Sequence, residues 1–220
     1  MLIVTHIPKT AGTTLRIHLS EVFGSRLFQE YHLLTQPRLS LWRRAMVSIG
    51  SVRAGVPPGV SCIIGHSRAT KYLSAFPRAR HAVWLRDPVD RVLSHYHYTR
   101  RHPEWVNVRW HGISLEQFIE HPFMRNRQAW MLDGRPLGDF DFVGDCEHFD
   151  LSLQLFARQF RLPAPPQGVR LNSNPERSGS RYEVSEALRG RILELNATDQ
   201  VLYEEARELF RRRADSMDAV

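Results

Sequence analysis

A short stretch near the start of the chain combines one lysine, one glycine and three threonines between residues 8 and 14. The apolar residues 2–4 precede it and predict a buried strand, and from Leu15 onward apolar residues recur at helical spacing. A strand, a polar loop and a helix aim backbone N–H groups and the positive end of the helix dipole at a bound phosphate. Lys9 adds a mobile positive charge. The stretch is therefore predicted to bind an anion.

A second set of polar residues follows the strand predicted at residues 81–85. Arg86 comes directly after this strand, and Asp87 can cap a helix that has Pro88 in its first position. Ser94 then lies about two turns into the helix. Arginine presents a planar, bidentate fork to a phosphate, and serine presents a short hydroxyl donor. Arg86 and Ser94 are therefore candidates for a second anion site.

A histidine, His66, follows a further apolar run at residues 61–64. Open α/β sheets bind their ligands in the crevice above the carboxyl ends of the strands, so His66 is placed where a ligand would lie. The pKa of imidazole is near neutral pH, which suits a general base. The alternative is a histidine with a purely structural role.

These candidate residues are spread over alternating predicted strands and helices. This alternation predicts an α/β fold with a mainly parallel sheet flanked by helices. The 220 residues are enough for one domain of this kind, residues 1–220, and 42% of them are hydrophobic. The two cysteines, Cys62 and Cys146, are too few for a disulfide framework and favour a reducing cytoplasm.

The net charge of +7 and the pI near 10.0 favour anionic ligands or partners. The basic residues are nevertheless spread along the chain without a nucleic-acid-binding signature, so nucleic acid is not predicted as a partner. No apolar run is long enough for a membrane span, and no signal peptide is predicted at the amino terminus.

Residues 6–14 read His-Ile-Pro-Lys-Thr-Ala-Gly-Thr-Thr, which is not a Walker A motif because Lys9 precedes the single glycine. The stretch resembles the 5′-phosphosulfate loop of sulfotransferases that use 3′-phosphoadenosine 5′-phosphosulfate (PAPS), nearest the heparan sulfate 2-O-sulfotransferase-like carbohydrate branch. The resemblance implies a fold related to P-loop nucleotide kinases, PAPS as donor and no metal. It also implies that the donor is bound by Pro8, Lys9, Thr10, Ala11, Gly12, Thr13 and Thr14, with Lys9 steadying the departing phosphate.

The other two candidate sites fit the same family. Arg86 and Ser94 resemble the pair that grips the 3′-phosphate of PAPS. Gly65 and His66 resemble a Gly-His pair at the end of a strand in the 2-O branch, where the histidine is the general base. The resemblance therefore implies that Lys9 and His66 are catalytic and that Arg86 and Ser94 bind the nucleotide.

Three further segments are weaker candidates. In many sulfotransferases a late loop closes over the nucleotide, which makes Arg177, Ser178 and Arg181 candidate contacts, although a surface loop explains them equally well. Asn126 and Gln128 resemble an acceptor-side segment of carbohydrate sulfotransferases. Trp105 could stack on a sugar ring, as exposed tryptophans do, or belong to the core.

The predicted function is transfer of a sulfuryl group from PAPS to an acceptor hydroxyl, preferably of a carbohydrate, leaving adenosine 3′,5′-bisphosphate (PAP). The alternative is an ATP-dependent phosphoryl transferase, which would need Mg²⁺ and a carboxylate to hold it. Asp87 is the single well-placed acid, and helix capping already explains it. The resemblance predicts a soluble cytoplasmic enzyme of bacterial type, unless the chain is the trimmed catalytic domain of a Golgi protein. A lipid, a small phenol or a peptide tyrosine is the alternative to a carbohydrate as acceptor.

Overall fold

The structure, a computed structural model, describes residues 1–31, 55–105, 110–165 and 182–218. In these residues, five parallel strands form one sheet in the order β2-β3-β1-β4-β5. The strands are β1 (Leu2–Thr5), β2 (Leu27–Glu30), β3 (Cys62–Gly65), β4 (Arg80–Leu85) and β5 (Phe142–Asp145). The predicted α/β fold with a parallel sheet is confirmed.

The strand β2 is the one that the sequence did not predict. It lies at the edge of the sheet, and its first three residues are partly or fully exposed. The central strands are buried on both faces and therefore read as apolar runs, whereas an edge strand needs no such run. For this reason the hydrophobic pattern, which also predicts a strand at residues 141–144, identified β1, β3, β4 and β5 but not β2.

Helices cover the two faces of the sheet. They are α1 (Gly12–Phe23), α2 (Pro88–Arg101), α3 (Leu115–Glu120), α4 (Arg127–Leu132), α5 (Phe149–Phe160), α6 (Glu186–Leu195) and α7 (Ala197–Asp218). The predicted start of α2 is confirmed, because the Asp87 carboxylate accepts a hydrogen bond of 3.0 Å from the Asp90 N–H and Pro88 occupies the first turn. Within the described residues, no helix combines the length and apolar character required to cross a membrane.

The two faces of β4 pack into different parts of the core. Trp84 packs with Leu15, Leu19 and Phe156 on one face of the sheet. Val83, on the opposite face, belongs to a cluster with residues of α4 and α7. Burial on both faces fixes the position of each strand along its axis relative to its neighbours. That position determines where the loop after the strand begins.

The register brings the carboxyl ends of three neighbouring strands to one edge of the sheet, where β1 and β3 end level with each other and β4 extends two residues further, to Leu85. Thr5 at the end of β1 pairs with Gly65 of β3 on one side and with Val83 of β4 on the other. The segments that follow these strands therefore leave from the same edge of the sheet. Those segments hold His66, the loop that is predicted to bind an anion (residues 8–14) and Arg86, all of which the sequence placed after strand ends.

Candidate functional site

The loop between β1 and α1 has a backbone shaped for an anion. Lys9 and Ala11 both adopt left-handed conformations, with φ of 73° and 60°, which non-glycine residues rarely do. The Thr10 hydroxyl donates a 2.9 Å hydrogen bond to the Ile7 carbonyl and holds the turn. Ala11 occupies the N-cap of α1 and offers no side-chain oxygen to the first N–H groups of the helix. The amino terminus of α1 can therefore take a ligand anion in place of a cap.

The Lys9 side chain reaches from this loop to α2. Its Nζ atom lies 4.0 Å from the centroid of the Tyr98 ring, in a cation–π contact. Burial, with smaller contributions from the positive charges of Arg86 and Arg101, lowers the pKa of Lys9 to about 8. Among the described residues, the charges that act on Lys9 are positive, which suits the binding of an anionic group.

Arg86 joins the two predicted anion sites. Its Nη1 atom donates a 3.1 Å hydrogen bond to the Lys9 carbonyl oxygen. The Gln128 side chain forms two hydrogen bonds with the backbone of Arg86. Its Oε1 accepts from the Arg86 N–H at 3.0 Å, and its Nε2 donates to the Arg86 carbonyl at 2.9 Å. Ser94 is half-buried on α2, about 9 Å along the helix axis from Pro88. The guanidinium of Arg86 is thus fixed beside the anion-binding loop.

The tautomer of His66 is set by a single hydrogen bond. Its Nδ1 atom lies 2.7 Å from the His6 carbonyl oxygen, which can only accept, so Nδ1 carries the proton. In the neutral ring Nε2 then has the free lone pair. Burial lowers the pKa of His66 below its ordinary value, an effect that the bond to His6 opposes and the charges of Arg127 and Lys9 reinforce. His66 is therefore a neutral base at physiological pH.

Two aromatic side chains pack against the ring of His66. The ring of His6 lies against that of His66, with centroids 4.4 Å apart, and the edge of Tyr31 meets His66 at 4.9 Å. The Tyr31 hydroxyl and His6 Nδ1 share a hydrogen bond of 2.9 Å. The sequence did not single out either residue for this role. Tyr31 follows the unpredicted strand β2, so no sequence signal connected it to His66.

Two glycines allow this packing. A Cβ atom on Gly12 would lie 1.6 Å from Nε2 of His6, so the His6 ring occupies the space that a larger residue at position 12 would need. A Cβ atom on Gly65 would lie 2.3 Å from the backbone carbonyl oxygen of Glu30 in the neighbouring strand. Glycine at both positions thus permits close approach of the elements around His66.

Replacing Gly65 by alanine should destabilise the fold. The added methyl group presses on the backbone of β2, which cannot move aside as a flexible side chain can, and overpacking of this kind costs about 1–3 kcal/mol. Urea unfolding followed by circular dichroism measures the loss. The matched control is Gly190→Ala, where the new Cβ meets nothing within 4 Å and helix propensity favours alanine. Equal stability of Gly65→Ala and the wild-type protein would contradict the predicted clash.

The structure places the predicted acceptor residues, Asn126 and Gln128, in a hydrogen-bond network that supports the backbone of Arg86. Gln128 is fully buried and holds the Arg86 backbone, and Asn126 accepts a 3.1 Å hydrogen bond from the Asp199 N–H. The Asp199 carboxylate accepts bonds from the N–H groups of Gln128 and Ala129 at 3.0 and 2.8 Å. The side chain of Trp105 and the residues Arg177, Ser178 and Arg181 lie outside the described part of the chain.

A pocket of about 300 Å³ opens beside His66. Arg68 and Trp130 line it together with Lys71, whose ammonium pairs with the Glu30 carboxylate. Its position next to the candidate base makes it the place where a second substrate could approach. In the described ranges, no group of three or more His, Cys, Asp or Glu side chains is arranged to hold a metal ion.

Curated proteins with similar sequences are heparan-sulfate 6-O-sulfotransferases, whereas no protein-family model matches the chain. Human heparan-sulfate 6-O-sulfotransferase 1 is 25% identical over 97% of this chain and 66% of its own length. Human heparan-sulfate 6-O-sulfotransferase 3 is 24% identical over 97% of this chain and 58% of its own length. The chain thus spans less than two thirds of the length of these relatives. Because they are 6-O-sulfotransferases, the closer likeness to the 2-O branch is not confirmed.

A solved structure supports the fold. The crystal structure of a sulfotransferase from Alicyclobacillus acidocaldarius aligns with a TM-score of 0.53 and covers 93% of this chain and 94% of its own. Its sequence identity of 17% supports a shared fold and nothing narrower. The chain therefore has the sulfotransferase fold, and its sequence relatives support its place in the sulfotransferase family.

Proposed function

We propose that the chain transfers a sulfuryl group from PAPS to a hydroxyl of a carbohydrate. The observation that carries this proposal is the 3.1 Å hydrogen bond between Arg86 Nη1 and the Lys9 carbonyl, which unites two anion-binding motifs from adjacent strands. A nucleotide with anionic groups at both its 3′ and 5′ positions needs two such motifs side by side. The names of the sequence relatives support a carbohydrate as acceptor.

The donor is bound by the loop and by α2. The residues assigned to the 5′-phosphosulfate are Pro8, Lys9, Thr10, Ala11, Gly12, Thr13 and Thr14. Arg86 and Ser94 are assigned to the 3′-phosphate, and Arg177, Ser178 and Arg181 to further contacts with the nucleotide. Positive charge and N–H groups held in place in advance stabilise negative charge without reorganisation, which is the main source of catalysis for transfers of this kind.

The transfer itself requires one base. An oxygen–sulfur bond forms between the acceptor hydroxyl and the sulfuryl group while the bond from sulfur to the 5′-phosphate oxygen breaks. The hydroxyl proton goes to Nε2 of His66, which has its lone pair free because Nδ1 donates to His6. Lys9 stabilises the negative charge that the departing PAP gains. No group in this scheme changes its redox state.

On the acceptor side, Gln128 has a supporting role because its buried amide is occupied by Arg86. Asn126 ties α4 to the start of α7 in the same way, and Trp105 is the residue assigned to stacking on the sugar. Both the 2-O and the 6-O position are candidate targets, the first from the Gly65–His66 pair and the second from the sequence relatives. A screen of heparan-sulfate oligosaccharides and neutral glycans with labelled PAPS would identify the acceptor and the hydroxyl.

Calorimetry separates this function from a phosphoryl transferase and from a nucleic-acid-binding module. The proposed function requires that PAP binds without Mg²⁺ and more tightly than ATP. A kinase would instead bind ATP with a dependence on Mg²⁺. A nucleic-acid-binding module would bind an oligonucleotide with strong dependence on salt. Failure of PAP to bind would contradict the proposal.

Replacing Arg86 by alanine should chiefly weaken binding of the nucleotide. Charge-assisted hydrogen bonds contribute about 1.5–3 kcal/mol each, so the Kd of PAP should rise about 10- to 100-fold. The value of kcat at saturating PAPS should fall much less. The control is Arg80→Ala, at the opposite end of the same strand, which should bind PAP as the wild type does. An unchanged Kd in Arg86→Ala would remove this residue from the donor site.

A further inference from the structure

Arg127 is a buried positive charge without a protein counterion in contact. It begins α4 and is only 6% exposed. Its guanidinium carbon lies 4.0 Å from the ring centroids of both Phe123 and Trp130. Within the described part of the chain it forms no hydrogen bond or ion pair, and its Nε atom is buried without a partner. A charge buried in this way destabilises a fold, which makes a purely structural role a poor explanation.

The surroundings of Arg127 are electropositive. The attractive charge that acts on Arg127 is that of Asp199, whose carboxylate oxygens already accept hydrogen bonds from the N–H groups of Gln128 and Ala129. Burial, followed by the charges of Arg91 and Arg68, lowers the pKa of Arg127 to about 10. The side chain therefore remains protonated at neutral pH. Arg91 is also fully buried, and its Nε and Nη1 atoms have no partners.

This charge lies next to the candidate base. Arg127 contacts Trp130, which is 40% exposed and lines the pocket that also contains His66 and Arg68. The guanidinium of Arg68 lies 4.3 Å from the same Trp130 ring. Stacking on Trp130 holds two guanidinium groups in fixed orientations. Arg68 lines the pocket, and its guanidinium pairs with the Asp133 carboxylate. Arg127 adjoins the pocket through its contact with Trp130 and has no such carboxylate partner among the described residues. Each has a planar fork that matches a carboxylate or a sulfate.

We propose that Arg127 and Arg68 form an anion site beside His66 that binds a carboxylate or sulfate group of the acceptor. This inference rests on the proposed sulfuryl transfer and adds to it the position and the charge of the group that orients the acceptor. Holding one anionic substituent at this site would aim a nearby hydroxyl at Nε2 of His66, and fixed geometry of this kind accelerates transfer. Neither guanidinium is among the residues assigned to PAPS.

The test compares Arg127→Met on charged and uncharged acceptors. The acceptors are a heparan-sulfate oligosaccharide and the same oligosaccharide after desulfation and carboxyl reduction. For the charged form, Arg127→Met should raise KM about 10- to 100-fold with a smaller change in kcat. For the uncharged form, and for the Kd of PAP, it should match the wild type. Arg125→Met is the matched control, because Arg125 is exposed and pairs with Glu120 at the surface.

Two results of the kinetic and PAP-binding comparison would overturn the inference. One is an equal loss of activity on both acceptors, which would mean that Arg127 acts on the base or on the fold. The other is weaker binding of PAP, which would assign Arg127 to the donor. A thermal melt adds a control for folding: Arg127→Met should have a Tm equal to or above that of the wild type, since it removes an unpaired buried charge. A large fall in Tm would support a structural role instead.

A second measurement does not depend on the donor or on the identity of the acceptor. Inorganic sulfate is titrated by calorimetry into the Lys9→Ala background, in which the donor loop is weakened. Sulfate affinity should drop when Arg127→Met is added and stay the same when Arg125→Met is added. If the wild type bound no PAP, the proposed function would fail, whereas this titration would still test the anion site. Equal sulfate affinity in both double variants would overturn the site itself.

Discussion

Replacing Lys9 by alanine is expected to lower kcat for sulfuryl transfer about 100- to 1,000-fold, the usual effect of removing one group that stabilises charge in the transition state. The affinity for PAP should fall less than about tenfold, because the loop N–H groups and Arg86 still hold the nucleotide. Lys9 is suited to this role by its position at the turn, where it lies beside Arg86 and across from Tyr98. The measurements are steady-state kinetics with PAPS and calorimetry with PAP.

The pKa of Lys9 gives this expectation a second readout. Because the pKa of Lys9 is about 8 in the free protein, kcat/KM should fall as the pH rises through about 8 and Lys9 loses its proton. Lys9→Arg should keep part of the activity and shift this alkaline limb to higher pH, since arginine stays protonated. Arg26→Ala, an exposed change beyond the end of α1, should leave the whole profile unchanged. A Lys9→Ala protein with wild-type kcat would exclude the assigned role.

Replacing His66 by alanine is expected to lower kcat about 100- to 10,000-fold, the range that general base catalysis contributes. The physical reason is the tautomer: the bond from Nδ1 to the His6 carbonyl leaves Nε2 as the single proton acceptor of the neutral ring. Binding of PAP should be unaffected, because the residues proposed to bind the donor are Arg86, Ser94 and the loop after β1, and His66 is not among them. Labelled-sulfate transfer and calorimetry with PAP measure the two effects separately.

The pH profile tests the same residue. Burial lowers the pKa of His66 below the ordinary histidine value of 6.5. At any pH above 6.5 the neutral form of His66 therefore predominates, and the rate should not depend on the titration of this group. As the pH falls through the lowered pKa, His66 gains a proton and kcat/KM should decrease. This acid limb should disappear in His66→Ala. His102→Ala, at the exposed end of α2, is the control and should keep the limb. Retention of the limb together with the wild-type rate in His66→Ala would exclude His66 as the base.

Much of the candidate site could be predicted because each motif is local in sequence. The loop, with its strand before and its helix after, lies within the first 23 residues of the chain, so hydrophobic periodicity and turn chemistry suffice to recognise it. The same holds for Arg86, which follows β4 and precedes a helix capped by Asp87. The conformational preferences of residues close in sequence decide such features, and tertiary packing does not change them.

The environment of His66 could not be predicted, because its parts are distant in sequence. The His6 carbonyl that sets its tautomer is 60 residues away, and the Tyr31 hydroxyl that bonds His6 follows an edge strand without a hydrophobic signature. The hydrogen-bond network that supports Arg86 likewise depends on Gln128, 42 residues later in the chain, and on Asp199, 71 residues beyond Gln128. Periodicity carries no information about such contacts, since sheet order and helix packing alone bring them together.

For this protein, the sequence by itself determined the fold class and the positions of Lys9, His66 and Arg86 after the ends of strands, and it predicts an anionic ligand. Only the tertiary structure decided that Arg86 bonds the lysine loop, that Nε2 of His66 is the free nitrogen, and that Arg127 lies buried without a counterion. The reason is physical. Residue type and spacing fix local backbone form and charge, whereas hydrogen-bond partners and burial are settled when the parallel strands align and close the core.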